Sequence, residues 1–209
     1  MPLRVVLFVF AAALLVAGCA SSKRSRSNAT GRTTTTSATV SAKTTTSSAA
    51  SALQAEANSA ATGDIPDNQV FINFRDAAAA YSMKYAEGWA QQGAGARVTF
   101  RDKNNIVRVV VAPGARRTAA SVRADLRRLT GAHVQSGPRP LTINGVPAFK
   151  VVYTTASAPN AVTGKRVTLM VDRYYLSHAG KEAIVDLGTP LGVDNVDAYR
   201  LMIQSFRWR

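Results

Sequence analysis

Alternating apolar and polar residues predict the first clear hairpin of the chain. Residues 96–101 read Ala-Arg-Val-Thr-Phe-Arg, so every second side chain is apolar and the others are polar or basic. This period of two is typical of a half-buried β-strand with a basic outer face. The polar residues 102–105 then predict a turn, and the apolar run at 106–111 predicts a more fully buried partner strand.

Further β-type runs lie on both sides of this hairpin. Asn144-Gly145 separates two of them and predicts a type I′ turn, because both residues tolerate positive φ. Residues 178–181 are predicted to form the turn of a third hairpin. The runs themselves lie at 70–74, 81–85, 141–143, 146–154, 166–177 and 182–188.

Two segments change to a helical period of three and four residues. Residues 118–130 carry one apolar stripe and end at Gly131, which predicts a helix with arginines on its exposed flanks. Asp194 is predicted to cap a second helix, with Asp197 in its first turn, where the helix dipole favours negative charge. The apolar positions are Ala119, Val122, Leu126 and Leu129 in the first helix and Val196, Tyr199, Met202, Ile203 and Phe206 in the second.

This order of elements predicts an α+β fold for residues 64–209. Hairpins follow one another, with one helix inserted midway and one at the C-terminus. That arrangement favours an antiparallel β-sheet flanked by helices over a doubly wound parallel sheet. The segment is long enough for one domain with its own hydrophobic core.

The residues before this domain are expected to form a disordered linker. Residues 20–63 are rich in Ser, Thr and Ala and show no apolar periodicity. Such a segment cannot bury enough surface to offset the entropy lost on ordering. As a flexible coil, its ends would lie roughly 35–40 Å apart.

The amino-terminal residues have the order of a secretory signal. Arg4 supplies a positive charge, and the apolar stretch 5–16 is shorter than the roughly 20 residues of a transmembrane helix. Leu15-Val16-Ala17-Gly18 directly before Cys19, the single cysteine, resembles the lipobox of bacterial lipoproteins. The resemblance implies a signal peptide of residues 1–18, lipidation of Cys19 and a tether of residues 19–63 that holds the domain outside the cytoplasmic membrane. Ala20 stands where an aspartate would resemble an inner-membrane retention signal, which favours the outer membrane in a cell with two membranes.

The chain is strongly basic, which bears on its partners. Its formal net charge is +14, and residues 64–209 hold 20 Lys and Arg against 11 Asp and Glu, which gives +9. Outside the membrane this charge favours an anionic lipid, an anionic surface polymer or an envelope protein over nucleic acid. The alternative is a solvated helix face with an Asp125–Arg128 pair. The candidate anion-binding residues are Arg116, Arg117, Arg123, Arg127 and Arg128.

The sequence contains no recognisable catalytic or metal-binding pattern. A zinc site would need three or four convergent ligands, but the only histidines are His133 and His178. His178 with Asp186 would lack a Gly-x-Ser-x-Gly nucleophile. Glu87 and Glu182 fit a turn charge and a strand-edge charge. We therefore expect no enzyme activity, no cofactor and no metal site.

Four segments of the domain carry a family resemblance. They are Tyr81-Ser82-Met83-Lys84-Tyr85 with Glu87-Gly88-Trp89, Asn144-Gly145-Val146-Pro147-Ala148, Tyr174-Tyr175, and Ser205-Phe206-Arg207-Trp208. Together they make residues 71–208 resemble the PsbP-like family. The resemblance implies an α-β-α sandwich around an antiparallel sheet, and this fold is shared far more widely than any function. Trp89 and Trp208 are interpreted as core aromatics.

These observations leave three functions open. The first is a non-catalytic, membrane-anchored lipoprotein that displays a basic docking domain for an envelope protein or an anionic polymer. The alternative is a small-ligand carrier with an apolar pocket between sheet and helix. An envelope hydrolase is the least supported, because it would need a cleft holding His178 or two carboxylates with perturbed pKa values.

Overall fold

The predicted α+β fold is confirmed by the computed structural model, which describes residues 63–160 and 162–209. The predicted signal peptide, Cys19 and residues 20–62 of the predicted tether lie outside the described residues. In chain order the strands are β1 (Phe71–Asp76), β2 (Tyr81–Ala86), β3 (Ala90–Ala94), β4 (Arg97–Asp102), β5 (Asn105–Pro113), β6 (His133–Ile143), β7 (Val146–Ala156), β8 (Thr168–His178), β9 (Lys181–Pro190) and β10 (Arg207–Trp208). The helices are α1 (Ala119–Leu126) and α2 (Val196–Gln204).

The strands form two antiparallel sheets. A small sheet has the order β1-β2-β10, and a seven-stranded sheet has the order β3-β4-β5-β9-β8-β7-β6. The predicted hairpins β4–β5, β6–β7 and β8–β9 are all present in the large sheet. Because β9 also pairs with β5, the last hairpin joins the first two into one continuous sheet.

Two tight turns set the register of the late hairpins. Asn144 and Gly145 have φ values of 51° and 79°, as a type I′ turn requires. The Asn144 side chain also donates hydrogen bonds to the carbonyl oxygens of Gln204 and Phe206, at 2.8 Å each, which ties this turn to the end of α2. The predicted turn at 178–181 is shorter than expected, because His178 and Lys181 already pair as strand residues.

The large sheet is covered on both faces. On one face, which we call the α2 face, α2 and the small sheet bury an aromatic and aliphatic core. Trp89 belongs to this core and Trp208 packs against it, as predicted. On the opposite face, which we call the α1 face, Val122 and Leu126 of α1 pack on Val151 and Tyr175.

Strand β3 was not predicted from the sequence. Its residues, Ala90–Ala94, read Ala-Gln-Gln-Gly-Ala and are all exposed, so they lack the apolar alternation that marks the other strands. Gly93 has φ +77°, and a Cβ there would lie 2.5 Å from the carbonyl oxygen of Arg97. The close approach of β4 therefore requires glycine at this edge.

Both helices differ in detail from their predictions. The first is shorter than 118–130, because Arg128 and Leu129 bond to carbonyls three residues back in a tightened last turn. The second helix is capped at Asn195 and not at Asp194, although an Asp194 side-chain oxygen accepts a hydrogen bond from the Val196 amide. Val196 is 59% exposed and therefore lies off the apolar face assigned to it.

The Asn195 side chain makes no capping hydrogen bond and is instead buried in a polar cluster. Its Oδ1 accepts a hydrogen bond from the Ile65 amide at 2.8 Å. Its Nδ2 donates to the Gly63 carbonyl, to Asn105 Oδ1 and to Thr189 Oγ1. The cluster therefore joins the first described residues to β5, β9 and the start of α2.

A buried ion-pair network joins three strands on the α1 face. The Asp186 carboxylate on β9 accepts two hydrogen bonds from Arg173 on β8, at 2.6 and 2.9 Å. Its Oδ2 also accepts from Arg108 on β5, at 2.5 Å through Nη2 and 3.1 Å through Nε. The side chains of Arg173 and Asp186 are 6% and 4% exposed, so each charge depends on the other for compensation.

We expect Asp186→Asn to lower the free energy of unfolding by about 3–5 kcal/mol, because it leaves the Arg173 charge buried without its carboxylate. Urea denaturation followed by circular dichroism measures the loss. Asp197→Asn is the control, since the Asp197–Arg200 pair is 92% and 58% exposed and its loss should cost about 1 kcal/mol or less. Equal losses in the two variants would contradict the special position of Asp186.

The domain should also lose stability at alkaline pH. Burial raises the pKa of Tyr81, Tyr175 and Tyr199 above the ordinary value of 10.0 in the folded state. Above pH 10.0 the unfolded chain therefore releases these protons first. The free energy of unfolding should not depend on these groups below that pH. It should then fall by up to about 1.4 kcal/mol per pH unit for each tyrosine as pH rises.

Urea denaturation over a series of alkaline pH values tests this expectation. Tyr199→Phe removes one tyrosine of raised pKa and should make the decline less steep. A decline of unchanged slope in that variant would contradict the role of Tyr199.

Candidate binding site

Helix α1 begins with a reciprocal capping box. The Thr118 hydroxyl accepts a hydrogen bond from the Ser121 amide at 3.1 Å, and the Ser121 hydroxyl accepts from the Thr118 amide at 3.0 Å. Two orphan amides of the first turn are thus satisfied. The cap fixes where the helix starts and therefore which side chains point away from the sheet.

The five predicted arginines do not share one role. Arg117 is half-buried and forms two hydrogen bonds to the Glu182 carboxylate, one of them 2.7 Å from Nη2 to Oε2. Its guanidinium also lies 5.7 Å from the centre of the Tyr175 ring. Arg117 therefore holds the segment before α1 against β9 and β8.

The other four arginines point into solvent. Among the described residues, none of them forms an ion pair with a carboxylate. Asp125 does not pair with Arg128: its Oδ2 accepts hydrogen bonds from the Tyr175 hydroxyl at 2.6 Å and from Arg173 at 3.4 Å. The exposed residues are Arg116, Arg123, Arg127 and Arg128.

The contact between Asp125 and Tyr175 fixes α1 on the sheet. Burial and the hydrogen bond to Asp125 raise the pKa of Tyr175 above its ordinary value, so the hydroxyl remains a donor at neutral pH. Asp125 thereby extends the buried network of Asp186 and Arg173 to the helix.

Concave surfaces lie at both ends of α1. At the start of the helix, Arg116 and Arg117 line a groove of about 440 Å³ together with Leu141 and Phe149. Past the end of the helix, Arg128 lies at a larger cleft of about 540 Å³, which we call the sheet cleft. Arg123 and Arg127 line neither of these two surfaces and remain on the exposed side of the helix.

The sheet cleft has an apolar floor and a cationic rim. Tyr153, Leu169 and Val171 form a buried cluster in its floor. Three partly buried residues pack against this cluster and also line the cleft: Ile106, Leu129 and Ala132. The cations along the rim include Arg101, Arg108 and Arg128.

Sequence reasoning missed Arg101 and Arg108 as site residues. The alternation in β4 predicts that Arg101 lies on a basic outer face. Which side chains of other strands lie beside it on that face depends on the order of β5, β9 and β8. Across these strands Arg101 is opposite Ile106 and Arg108 is opposite Asp186. The strand order, which brings residues 80 positions apart side by side, is not visible in local periodicity.

His178 and Asp186, considered above as a catalytic pair, lie far apart in the fold. His178 is exposed at the end of β8 and its ring lies 6.3 Å from that of Trp208. Asp186 lies five residues along β9 from the cross-strand partner of His178, a separation of roughly 17 Å. Glu182 is occupied by Arg117, whereas Glu87 and His133 are exposed.

Metal-binding clusters and membrane-spanning helices are both absent from residues 63–160 and 162–209. In those ranges no three side chains of His, Cys, Asp or Glu are grouped closely enough to hold a metal ion. The helices within the same ranges are too short or too polar to span a bilayer.

Comparison with known proteins identifies the fold. No family model matches the chain, and no curated protein matches it in sequence. Among solved structures, cyanobacterial PsbP (CyanoP) from Synechocystis sp. PCC 6803 is similar over 70% of this chain and 98% of its own, with a TM-score of 0.50 and 15% sequence identity.

Two weaker similarities extend the comparison. The Ran-binding protein Mog1p of Saccharomyces cerevisiae gives a TM-score of 0.45 at 9% identity, over 68% of this chain and 96% of that one. A structure from Bacteroides thetaiotaomicron VPI-5482 gives 0.44 at 13% identity, over 66% of this chain and 48% of that one. The similarity to CyanoP shows that the described domain has a PsbP-like fold.

Proposed function

We propose that this protein is a non-catalytic, lipid-anchored extracytoplasmic lipoprotein whose PsbP-like domain binds an anionic partner of the cell envelope. The partner is an anionic surface polymer or the acidic face of an envelope protein. The observation that carries this proposal is the set of exposed arginines around α1, Arg116, Arg123, Arg127 and Arg128, without carboxylate partners among the described residues.

The distribution of charge supports a directed interaction. Residues 101–150 contain 10 of the 20 Lys and Arg of residues 64–209 but only two of the 11 Asp and Glu. Buried and half-buried arginines of the α1 face are neutralised by Asp186, Asp125 and Glu182. Four cations without a carboxylate partner are therefore grouped on the outside of α1, where they attract anions over about one Debye length, roughly 8 Å at physiological salt.

The lipobox-like segment supports the anchor. Cys19 follows Leu15-Val16-Ala17-Gly18 and is the only cysteine of the chain. A diacylated cysteine supplies the two acyl chains that stable membrane attachment requires. The predicted tether would then place a basic domain a few tens of ångströms from an anionic surface.

A second candidate function is that of a small-ligand carrier. The sheet cleft favours it, because the cleft has an apolar floor, a few convergent charged groups and a volume of about 540 Å³. Small-molecule sites span roughly 300–1,000 Å³ and combine these same features.

Lipidation is tested on the mature protein from its native host. We expect mass spectrometry to find a first residue Cys19 that carries a diacylglyceryl thioether, with residues 1–18 removed. Cys19→Ser should abolish both the acyl mass and the cleavage, because the modified thiol is the substrate for processing. A mature protein that begins at Cys19 without acyl chains, or that still begins at Met1, would contradict the anchor.

The arginine surface is tested with immobilised polyphosphate, as a model anionic polymer, and with envelope extract. Replacing Arg123, Arg127 and Arg128 with Gln should weaken retention by about 0.5–1 kcal/mol per lost charge. The variant should therefore elute at lower salt than the wild type.

The matched control removes three charges from the other side of the domain. Arg75, Arg200 and Arg207 are exposed on β1, α2 and β10, which cover the α2 face. Their replacement with Gln gives the same net charge, yet it should leave retention close to that of the wild type. If both triple variants lose retention equally, net charge alone explains the binding and the α1 surface has no special role.

A further inference from the structure

The floor of the sheet cleft is built to bring apolar side chains together. Ile106 lies opposite Gly188 on the neighbouring strand, and Val171 lies opposite the same glycine on the other side. A Cβ at residue 188 would lie 2.8 Å from Ile106 Cγ2 and 3.3 Å from Val171 Cγ2. The missing side chain of Gly188 therefore allows Ile106, Val171 and Leu169 to form one continuous apolar surface.

The cations at the cleft differ in how they are compensated. Arg108 is 45% exposed, but its guanidinium is held by Asp186. Arg101, by contrast, has a buried Nε atom without a hydrogen-bond partner, and among the described residues no carboxylate pairs with it or with Arg128. Arg101 lines the cleft, so its guanidinium offers a positive charge that a ligand can pair with.

We propose that the sheet cleft binds an amphipathic carboxylate, with the carboxylate on Arg101 and the apolar body on the floor of Ile106, Leu169 and Val171. This inference rests on the second candidate function, the small-ligand carrier, and shares only Arg128 with the exposed arginines around α1. A carboxylate matches the planar guanidinium of Arg101, a residue that lines the cleft, through two parallel hydrogen bonds. Arg128 adds a second positive charge at the mouth of the cleft.

Other occupants fit these features less well. A neutral apolar molecule would contact the floor but leave the Arg101 guanidinium without a carboxylate. A hydrophilic polyanion would pair with the arginines but make no contact with the apolar floor. Only a ligand with both a carboxylate and an apolar body contacts the rim and the floor together.

The experiment uses the mature chain, residues 19–209, with Cys19→Ser, so that neither the anchor nor detergent competes for the cleft. Decanoate is the probe, 1-decanol has the same chain without the charge, and acetate has the charge without the chain. Isothermal titration measures each affinity, and amide chemical shifts locate the contact. We expect decanoate to bind at least tenfold more tightly than either control, with shifts at Leu129, Tyr153 and Leu169.

Two variants test the two halves of the site. Arg101→Gln should weaken decanoate binding by about tenfold or more and leave 1-decanol unchanged. The matched control is Arg97→Gln, which removes an exposed charge from the same strand outside the cleft and should change neither affinity. Thr155 lies opposite Leu169 and lines the cleft, so Thr155→Phe should exclude both decanoate and 1-decanol. Thermal melting checks that each variant is folded.

Each contrary outcome overturns the inference. Absence of decanoate binding at millimolar concentration, equal binding of decanoate and 1-decanol, or binding that Arg101→Gln and Thr155→Phe both leave intact would each exclude the proposed ligand class. Equal binding of acetate would show anion attraction alone. None of these results would affect retention on polyphosphate, so failure here remains distinguishable from failure of the docking role.

Discussion

The buried carboxylate of Asp186 is the constraint on which the α1 face depends. A charge that is 4% exposed must be compensated inside the protein, and Asp186 is compensated by Arg173 and Arg108 from the strands on either side of it. These bonds cross β8, β9 and β5, which join the early and late hairpins into one sheet. A register shift of one residue would place Asp186 on the opposite, apolar face. The ion pair of Asp186 with Arg173 therefore also selects the register of β9.

The same network determines which arginines remain available for a partner. Arg173 reaches Asp125 on α1, and Asp125 receives the Tyr175 hydroxyl, so the helix is fixed both by polar contacts and by Val122 and Leu126. The carboxylates near α1 are thereby paired with buried groups. Because Asp125 is bonded to Tyr175 of the sheet, Arg128 on the outside forms no ion pair with a carboxylate of the described residues. Because the carboxylates pair with groups inside the domain, the arginines on its outside keep their positive charge.

Local patterns predicted most elements, whereas pairing between distant residues was not predictable. The alternation at 96–101, the Asn144-Gly145 turn and the stripe through Val122 and Leu126 each reflect one period, and each element is present. Strand β3 was missed because an exposed edge strand has no apolar period. The role of Asn195 was missed because its side chain makes no local capping bond and instead contacts distant residues: Gly63, Ile65, Asn105 and Thr189. Of the site, the arginines of α1 were predictable from spacing. The structural role of Arg117 and the sheet cleft depend on the register of β5, β8 and β9.

The two proposed binding surfaces make different use of the same positive charge. On α1 the guanidinium groups are solvated, so attraction to an anion is screened and each contact contributes little. At the sheet cleft Arg101 is half-buried, so a charge-assisted hydrogen bond to a carboxylate there is screened less by water and salt than a contact on α1. Burial of an apolar body on the floor is also nearly independent of salt. The two interactions therefore differ in how they depend on ionic strength. An interaction through α1 weakens steeply as salt rises, whereas one in the cleft keeps the larger part of its binding free energy.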